Sequence, residues 1–485
     1  MALANVNVCG PKTARVCAKA MKMNAGAKVG RSGAMSRVVR VRASAEKIDF
    51  NDEGAFTLPY APVREALLPD GPWTVIDGGV CAAKGFKVAG YKAGLRKKGT
   101  RADCALIVAD EDATCAGIFT TNLMCAAPVA FCKKQLAGKP TARALLINAG
   151  QANAATGDAG FADSQATADA LSKALGVAGD DILLMSTGVI GQRIKMDKLL
   201  PAIDVLAANV EASTAAANAA ATAICTTDLV RKTIAIEVDI GGKKVRMGGM
   251  AKGSGMIHPN MATMLGVVTC DAAVSPEVWR GITSRAGTNS FNQISVDGDT
   301  STNDSLVCFA SGKAGNAVIT DANSADAKLL EQALTAVCRG LAKAIAWDGE
   351  GATCLIECNV SGAMDDEDAR VIARSVVCSS LAKAAIFGHD PNWGRLACAA
   401  GYASPVKHNF NQNDLKLSLG PHQLMDKGQP LAFDAVAASQ YLKDVTGVHG
   451  TCVVDISVGS GPGKGQAWGC DLSYDYVKIN AEYTT

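Results

Sequence analysis

The sequence predicts an α+β fold, in which strands and helices share a core without forming a parallel doubly wound sheet. Short apolar runs typical of strands alternate with longer runs of helical spacing, but no sustained strand–helix–strand rhythm develops along the 485 residues. The chain also shows no repeat with a period of about 20 to 50 residues. Only 5% of the residues are aromatic and 49 are glycine, so the core must consist mainly of small and aliphatic side chains.

Residues 1–45 differ from the rest of the chain in charge. They contain no Asp or Glu, whereas Lys and Arg give them nine positive charges. A basic segment rich in Ala, Met and Ser is typical of an organelle transit peptide, and we place its end at residue 42. A nucleic-acid-binding arm is the alternative. Because the whole chain carries only +2, the remainder is net negative, and we expect no nucleic-acid partner.

The cysteines indicate the compartment. Seventeen of them are scattered singly without a Cys-x-x-Cys pair, and the five histidines do not cluster with them. This spacing predicts no metal site, and it favours reduced thiols in a compartment that forms no structural disulfides. The chloroplast stroma is the expected location, with the mitochondrial matrix as the alternative. No apolar run of about eighteen residues occurs, so no membrane span is predicted.

The first half of the chain begins with short strands. Apolar runs bounded by turn residues predict strands at 105–109, 116–119, 128–131, 144–148 and 182–185. The segment 148–157 is predicted to be a loop of small side chains, which lets another segment approach its backbone closely.

Helices and one hairpin complete the predicted elements. Helical spacing predicts helices at 163–175, 196–208, 211–225 and 325–347. Strands at 233–239 and 243–246 are joined through Gly241-Gly242, which is typical of a tight hairpin, and a further strand is predicted at 353–360.

A glycine-rich stretch after the hairpin leads to Ala262 and Thr263, and the apolar run from Met264 indicates a buried strand or the start of a helix. If the chain were cut before Thr263, the new α-amine, with a pKa of about 7.7–8.0, would lie beside the threonine hydroxyl. Such an amine is a base for its own hydroxyl, which makes an N-terminal threonine a nucleophile. The alternative is an ordinary half-buried hydroxyl bonded to a nearby carbonyl.

The strand at 182–185 runs into Ser186-Thr-Gly-Val-Ile-Gly191. A glycine directly after a strand exposes its amide, and the hydroxyl of Thr187 can point in the same direction as the amide of Gly188. Two donors aimed at one point suit a developing oxyanion. An ordinary strand-to-helix turn is the alternative.

The two motifs around the threonine resemble a known signature. Met250-Ala-Lys-Gly-Ser-Gly-Met256 followed by Met261-Ala-Thr-Met-Leu-Gly266 resembles the signature of the ornithine acetyltransferase family, and the resemblance extends from about Ile48 to Thr485. It implies stacked β-sheets flanked by helices, an αββα-type sandwich. It also implies a precursor that cleaves itself between Ala262 and Thr263. The expected parts are a transit peptide (1–42), an alpha chain (43–262) and a beta chain (263–485), and structural domains need not follow the cleavage point.

The resemblance also implies roles for individual residues. Thr263 is the nucleophile, and Thr187 and Gly188 form the oxyanion hole. The substrate-binding positions that it implies are Thr226, Lys252, Thr263, Glu350, Asn480 and Thr485. The charge of Lys252 suits the carboxylate of an amino acid, and the charge of Glu350 suits an ammonium group.

The reaction implied by this family is transfer of an acetyl group from N2-acetyl-L-ornithine to L-glutamate through an acetyl-threonine, in arginine biosynthesis. No cofactor is required, although acetyl-CoA is a conceivable second donor. The alpha and beta chains of one precursor are expected to stay together and to form an oligomer of such heterodimers. An N-terminal-nucleophile amidohydrolase or aminopeptidase, with water as acceptor, is the main alternative. An ATP-dependent kinase and a non-catalytic metabolite-binding protein are the other two.

Three further motifs resemble functional sites but lack residues or roles that those sites require. The segment 295–305 resembles a calcium loop, but Thr302 and Cys308 replace the Gly and Glu that an EF-hand needs, so its Asn and Asp side chains are expected to hold backbone near the nucleophile. The segment 388–395 is interpreted as a structural loop. The glycine-rich segment 459–465 lacks the Ser or Thr of a P-loop, because Gly465 stands in that place.

Overall fold

Two β-sheets and the helices packed on them make up the fold of the computed structural model. The structure describes residues 46–60, 67–97, 99–258, 264–405, 407 and 410–482. The strands are β1 (Trp73–Val75), β2 (Phe86–Tyr91), β3 (Cys104–Phe119), β4 (Thr141–Gln151), β5 (Ile182–Val189), β6 (Lys232–Ile240), β7 (Lys243–Lys252), β8 (Leu265–Cys270), β9 (Ile294–Ser295), β10 (Ser305–Ala310), β11 (Leu355–Ala363), β12 (Lys416–Leu419), β13 (His422–Asp426), β14 (Gln429–Pro430), β15 (Thr451–Ser457) and β16 (Gly463–Cys470).

The helices vary from one turn to more than six turns in length. They are α1 (Glu53–Phe56), α2 (Ala127–Gly138), α3 (Gly157–Leu175), α4 (Met196–Ala208), α5 (Thr214–Ala223), α6 (Pro276–Thr288), α7 (Ala325–Trp347), α8 (Asp366–Cys378), α9 (Ser380–Phe387), α10 (Trp393–Gly401), α11 (Ala435–Gly447) and α12 (Tyr474–Ala481). In the part of the chain that the structure describes, no helix combines the length and apolarity needed to cross a membrane.

The two sheets draw on different parts of the chain. The first has nine strands in the order β1-β6-β7-β8-β10-β3-β4-β5, with β2 paired to β3, and the second has seven in the order β14-β13-β12-β15-β11-β16-β9. All strands of the second sheet follow residue 263. The first sheet contains strands from both sides of that residue. Strands β8 and β10 follow it but lie between β7 and β3, which precede it. Strand β7 pairs with β8 over six residue pairs, from Met247 with Cys270 to Lys252 with Leu265.

Alternating side chains of the strands enter different hydrophobic clusters. Val267 of β8 belongs to a cluster with residues of α2, α3, α4 and α5. Its neighbour Val268 belongs to a second cluster, with residues of α6 and α7 and with Leu355 and Trp468 of the second sheet. Helix α7 therefore shares buried apolar surface with both sheets, and its periodic apolar face has a partner along its length. Ile356 of β11 belongs to a third cluster with α8.

The predicted α+β class with stacked sheets and flanking helices is confirmed. The helices predicted at 196–208 and 325–347 have the predicted bounds in α4 and α7. The strand predicted at 128–131 is wrong, because these residues lie in α2. The short apolar run at 128–131 cannot by itself distinguish a buried strand from a helix. Pro128 favours the helix, because it lies in the first turn of α2, where proline is well tolerated.

The strands predicted at 105–109 and 116–119 form one long strand, β3. The acidic residues between them, at 110–112, are exposed, and the pairing of β3 with β4 shifts between Val108 and Ala113. Each acidic side chain forms an ion pair with a lysine. The polar interruption is therefore accommodated by a local irregularity in the ladder and does not end the strand.

The strand order of the first sheet leads to a prediction about the cleaved protein. A mature chain cut before Thr263 should give two bands of nearly equal size on a denaturing gel and one peak in native size-exclusion chromatography. The reason is that β8 and β10 remain hydrogen-bonded to β7 and β3 after the cut. The single-chain Thr263→Ala variant is the control for the native elution volume. Halves that elute separately without denaturant would contradict this strand order.

Candidate active site

Six of the residues that the sequence predicts as site residues line one cavity of about 390 Å³: Thr187, Gly188, Thr226, Lys252, Glu350 and Asn480. Met264 and Leu265 also line this cavity, and Met264 directly follows Thr263 in the sequence. The predicted cleavage pair, Ala262 and Thr263, and the predicted contact Thr485 lie outside the described residues.

The predicted oxyanion hole lies at the end of β5. Gly188 has a φ of +127°, a conformation that side chains other than glycine rarely adopt. It pairs with Gly150 of β4, and a Cβ atom on Gly188 would lie only 2.3 Å from the carbonyl carbon of Gly150. Residues 148–151 of the segment predicted as a loop extend β4, and the glycine there permits the predicted close approach, in this case by the neighbouring strand. The buried Thr187 and the half-buried Gly188 both line the cavity.

Lys252 is the last residue of β7 and is only 8% exposed. Its Nζ donates a hydrogen bond to the Oγ1 of Thr187, at a distance of 3.3 Å. Since an ammonium group has donors only, the threonine oxygen is the acceptor, and the hydroxyl proton is left to donate to another group. Lys252 forms no ion pair with another described residue. It can therefore polarise Thr187 and still attract a carboxylate.

Glu350 supplies the opposite charge in the same cavity, with only 8% of its surface exposed. The side-chain amide of Asn480 in α12 donates to its Oε2 at 2.8 Å. The backbone amide of Glu350 donates to the carbonyl of Ser254 at 2.9 Å. A Cβ atom on Gly255 would lie 2.3 Å from Oε2, so this glycine makes room for the carboxylate.

A buried ion triad that the sequence reasoning missed connects these segments. Nζ of Lys232 lies 2.7 Å from Oδ1 of Asp228 and 2.5 Å from Oδ2 of Asp348, and all three side chains are at most 2% exposed. The same Asp228 oxygen accepts from the amide of Gly253 at 2.7 Å, and its other oxygen accepts from the amide of Thr226 at 2.8 Å. The triad thus fixes the backbone at three places in the site. These are Thr226, Gly253 beside Lys252, and Asp348, which lies two residues before Glu350.

The opposite charges of the triad shift one another's pKa values against the effect of burial. Burial alone would raise the pKa of Asp228, but Lys232 and Lys252 outweigh it and hold the pKa below its usual range. Burial would lower the pKa of Lys232, yet the two carboxylates raise it. Burial raises the pKa of Asp348 to about 6, because the attraction of Lys232 is partly offset by repulsion from Asp228. The lysine is therefore charged at neutral pH.

The segment 295–305 holds backbone around the cavity, as the sequence predicts. Asp297 accepts hydrogen bonds from the amides of Met256 at 2.6 Å and Ile257 at 2.9 Å. The side-chain amide of Asn303 donates to the carbonyl of Ala152 at 2.6 Å and to that of Ser186 at 2.8 Å. Residues after the predicted cleavage point thereby position both the glycine-rich approach and the strand that carries Thr187.

His258 lies at the end of the described part of that approach. Its Nδ1 is 3.2 Å from Oγ of Ser295 and 3.3 Å from Sγ of Cys378. Burial, assisted by the nearby Arg374, lowers the pKa of His258 to about 4. The imidazole is therefore neutral at neutral pH, and it serves the loop through hydrogen bonds and carries no charge there.

The other candidate motifs lie elsewhere. The segment 388–395 is structural, with Nε2 of His389 3.0 Å from the hydroxyl of Thr446. Lys464 and Gly465 line a separate cavity on the second sheet. Within the described residues, no group of three or more His, Cys, Asp or Glu side chains is arranged to hold a metal ion, and the cysteines there are free.

The sequence is similar to known proteins over most of its length. The model of the ArgJ family matches residues 87–485. The chloroplastic arginine biosynthesis bifunctional protein ArgJ of Ostreococcus lucimarinus (strain CCE9901) is 85% identical over 94% of this chain and 99% of its own length. Its namesake in Sorghum bicolor is 59% identical over 86% and 90%. A solved structure, ornithine acetyltransferase complexed with ornithine from Mycobacterium tuberculosis, is 38% identical over 39% of this chain and 100% of that chain, with a TM-score of 0.37.

The buried triad generates a stability prediction. Lys232→Met should lower the free energy of unfolding by about 3–5 kcal/mol, because it leaves two buried carboxylates facing each other without a cation. The matched control is Lys244→Met, which breaks an exposed ion pair with Asp239 and should cost less than about 1 kcal/mol. Denaturant unfolding of both variants at the same protein concentration measures the difference. Equal losses would show that the triad does not stabilise the site.

Proposed function

The chain belongs to the ArgJ family, and on that premise we propose that Thr263 carries an acetyl group from N2-acetyl-L-ornithine to L-glutamate. The family match confirms the enzyme class that the sequence predicts, a bifunctional acetyltransferase of arginine biosynthesis. The high identity to chloroplastic relatives confirms the expected chloroplast form.

One observation carries the proposal. Two hydrogen-bond donors, the Thr187 hydroxyl and the Gly188 amide, line the same small cavity as a buried cation, Lys252, and a buried anion, Glu350. The donors suit the oxyanion of an acyl-transfer intermediate, and the two charges suit an amino acid, which carries a carboxylate and an ammonium group. Because Met264 lines this cavity, the residue before it is a suitable nucleophile.

In the first half-reaction, Oγ of Thr263 attacks the carbonyl carbon of the acetamide. The free α-amine of Thr263 takes the hydroxyl proton, and Thr187 and Gly188 donate to the oxyanion. As the intermediate collapses, the C–N bond breaks and the same α-ammonium group returns a proton to the departing amine of ornithine. An acetyl ester remains on Thr263.

The second half-reaction runs in the opposite sense. The α-amine of glutamate attacks the ester carbonyl, the same two donors stabilise the second oxyanion, and the C–O bond to Thr263 breaks. The proton lost by the glutamate amine passes through the α-amine of Thr263 to its hydroxyl oxygen. Lys252 holds the carboxylate of each amino acid in turn, and Glu350 holds the side-chain ammonium of acetylornithine.

A hydrolase with the same nucleophile is the competing function. It would use the same oxyanion donors and the same acetyl ester, but water would replace glutamate as the acceptor. The fixed cation favours the transferase, because it can hold the carboxylate of an amino-acid acceptor as well as that of the donor, whereas a hydrolase needs it for the donor alone. We also propose that the alpha and beta chains form the working unit and that such heterodimers assemble further.

The oxyanion hole is tested by removing one hydroxyl. Thr187→Val keeps the shape of the side chain, and in fully cleaved protein it should lower kcat on the order of 10² to 10³ with little change in KM for N-acetylornithine. Thr187→Ser, which keeps the hydroxyl, should stay within a few-fold of the wild type. A kcat of Thr187→Val equal to that of Thr187→Ser would remove this residue from the oxyanion hole.

The order of the chemistry is tested by trapping the ester. N-acetylornithine without glutamate should add about 42 Da to the fragment that begins at Thr263, because an acetyl group replaces one hydrogen. Glutamate should then remove the label as N-acetylglutamate, and steady-state kinetics should be ping-pong. Mass spectrometry of the separated fragments is the measurement. Intersecting kinetic lines without an adduct would indicate direct transfer, and rapid release of free acetate would indicate the hydrolase.

A further inference from the structure

The cavity on the second sheet has a volume of about 820 Å³ and no part in the proposed reaction. Residues of β11, β12, β13, β15 and β16 line it, together with Asn289 directly after α6, Arg339 of α7 and Arg370 of α8. No described residue lines both this cavity and the active-site cavity. Concave surfaces of this size where separate elements meet are the usual places for small ligands.

The strands present a polar surface to this cavity. Nε2 of Gln466 donates to Oδ1 of Asn359 at 2.8 Å, and Nδ2 of Asn359 donates to Oδ1 of Asp455 at 2.8 Å. The three residues are direct neighbours across β16, β11 and β15. The apolar residues along the cavity belong to the core on the opposite face of the sheet: Val360, Leu417 and Ile456. The exposed side of the sheet therefore suits a polar ligand.

A second row across the same face has a cation at each end. Lys416 of β12 pairs with Ser457 of β15, Ser457 with Ser361 of β11, and Ser361 with Lys464 of β16. Neighbouring strands lie about 4.8 Å apart, so the backbones of the two lysines lie about 14 Å apart. Lys416 is 3.3 Å from Asp426, but both side chains are partly exposed and such a pair is weak. The row thus offers two lysines with hydroxyl donors between them.

Two arginines add positive charge beside β16. The guanidinium group of Arg339 lies 6.0 Å from the ring centroid of Trp468, and the backbone of Arg370 lies against Gly465. Nε of Arg339 donates to the carbonyl of Asn289 at 2.9 Å, whereas Arg370 makes no hydrogen bond or ion pair with another described residue. Burial lowers the pKa of Arg339, and repulsion from Arg370 adds to this effect. An anion bound between them would relieve the repulsion.

The carboxylates in this region are already engaged. Glu357, which attracts Arg339, lies 2.7 Å from Nζ of Lys343 and accepts from the indole of Trp468 at 2.9 Å. Oδ1 of Asp366 accepts from the backbone amide of Lys464 at 2.9 Å. Four cations and two carboxylates line the cavity in the described part of the chain. The excess of positive charge favours an anionic ligand.

The placement of the cations narrows the class of anion. Arginine and lysine bind the oxygens of phosphate and carboxylate groups, and arginine can bind them with two parallel hydrogen bonds. A single oxyanion contacts only one end of the lysine row, whereas a ligand with two separated oxyanions contacts both. A cationic amino acid such as ornithine would bring its side-chain ammonium group close to an unpaired arginine, which disfavours it.

We propose that the cavity on the second sheet binds a small organic anion with two or more separated phosphate or carboxylate groups. One group lies between Arg339 and Arg370, the other lies toward Lys416, and the serine hydroxyls donate to the ligand between them. The site is separate from the acetyl-transfer site, so both can be occupied at once. Phosphate and carboxylate share the chemistry that the cations recognise, and the probes below distinguish the two.

The test is isothermal titration calorimetry of the cleaved enzyme with two probes. Fructose 1,6-bisphosphate carries two separated phosphates and citrate carries three carboxylates, and at least one of them should bind about tenfold or more tightly than inorganic phosphate, because it contacts both ends of the row. The tighter of the two probes identifies the anionic group that the site prefers. Binding should weaken as the salt concentration rises.

Variants locate the bound probe. Arg370→Gln should raise the Kd on the order of tenfold, because it removes a charged donor, and its thermal unfolding without ligand should match the wild type, because no described bond is lost. Lys464→Gln, at an exposed position, should shift the Kd in the same direction. The matched control is Arg280→Gln, at an exposed position of α6 outside the cavity, which should bind as the wild type does.

Two further controls exclude other binding places. Excess ornithine should leave the titration unchanged, because the proposed function places it in the active-site cavity. Lys195→Gln should also leave it unchanged, because Lys195 lines a different basic cavity that shares no described residue with this one. Displacement of the probe by ornithine, or a loss of binding in Lys195→Gln with none in Arg370→Gln, would overturn the assignment.

The assignment also fails if neither probe binds, or if Arg370→Gln and Arg280→Gln bind the probe equally well. Neither result bears on the acetyl ester of Thr263, because the titration contains no acetyl donor. Conversely, absence of the 42 Da adduct with N-acetylornithine would contradict the proposed function and leave the anion site unaffected. The two proposals can therefore fail independently.

Discussion

The buried lysine between two aspartates is the interaction on which the geometry of the site depends. Lys232 has no solvent to hydrate its charge, so Asp228 and Asp348 must remain in place for the fold to tolerate it. Those aspartates also accept backbone amides from two separate segments, residues 226–230 and Gly253. The energetic need to pair one buried cation therefore fixes the backbone that carries Thr226, Lys252 and Glu350, although Lys232 itself does not line the cavity.

The first sheet supplies the second constraint. Two adjacent strands that follow the predicted cleavage point, β8 and β10, lie between strands that precede it, so a cut before Thr263 leaves the ladder of hydrogen bonds intact on either side. Asn303 and Asp297, which follow that point, bind backbone of β5 and of the glycine-rich approach, which precede it. Cleavage is thus compatible with a rigid site, because the parts of each half are positioned by contacts with the other half.

The sequence predicts some of these features and not others, for identifiable reasons. The helix at 325–347 has a continuous apolar face and is predicted with its bounds, whereas the run at 128–131 is too short to distinguish a strand from a helix. Thr187 and Gly188 are predicted from their place directly after a strand, whereas Glu350 is predicted only through the family resemblance, because a lone Glu in a turn carries no local signal. The triad has none either, since Lys232 and Asp348 are 116 residues apart and only the fold brings them together.

In the proposed reaction, the charges of the cavity recognise the amino acid and the oxyanion donors serve the acyl group. An amino acid offers a carboxylate and an ammonium group, and the fixed charges of Lys252 and Glu350 suit both. The Thr187 hydroxyl and the Gly188 amide lie on a different strand, β5, whereas Lys252 ends β7. The hydrogen bond from Lys252 to Thr187 connects the two strands, so the cation that suits the carboxylate also orients one of the proposed oxyanion donors.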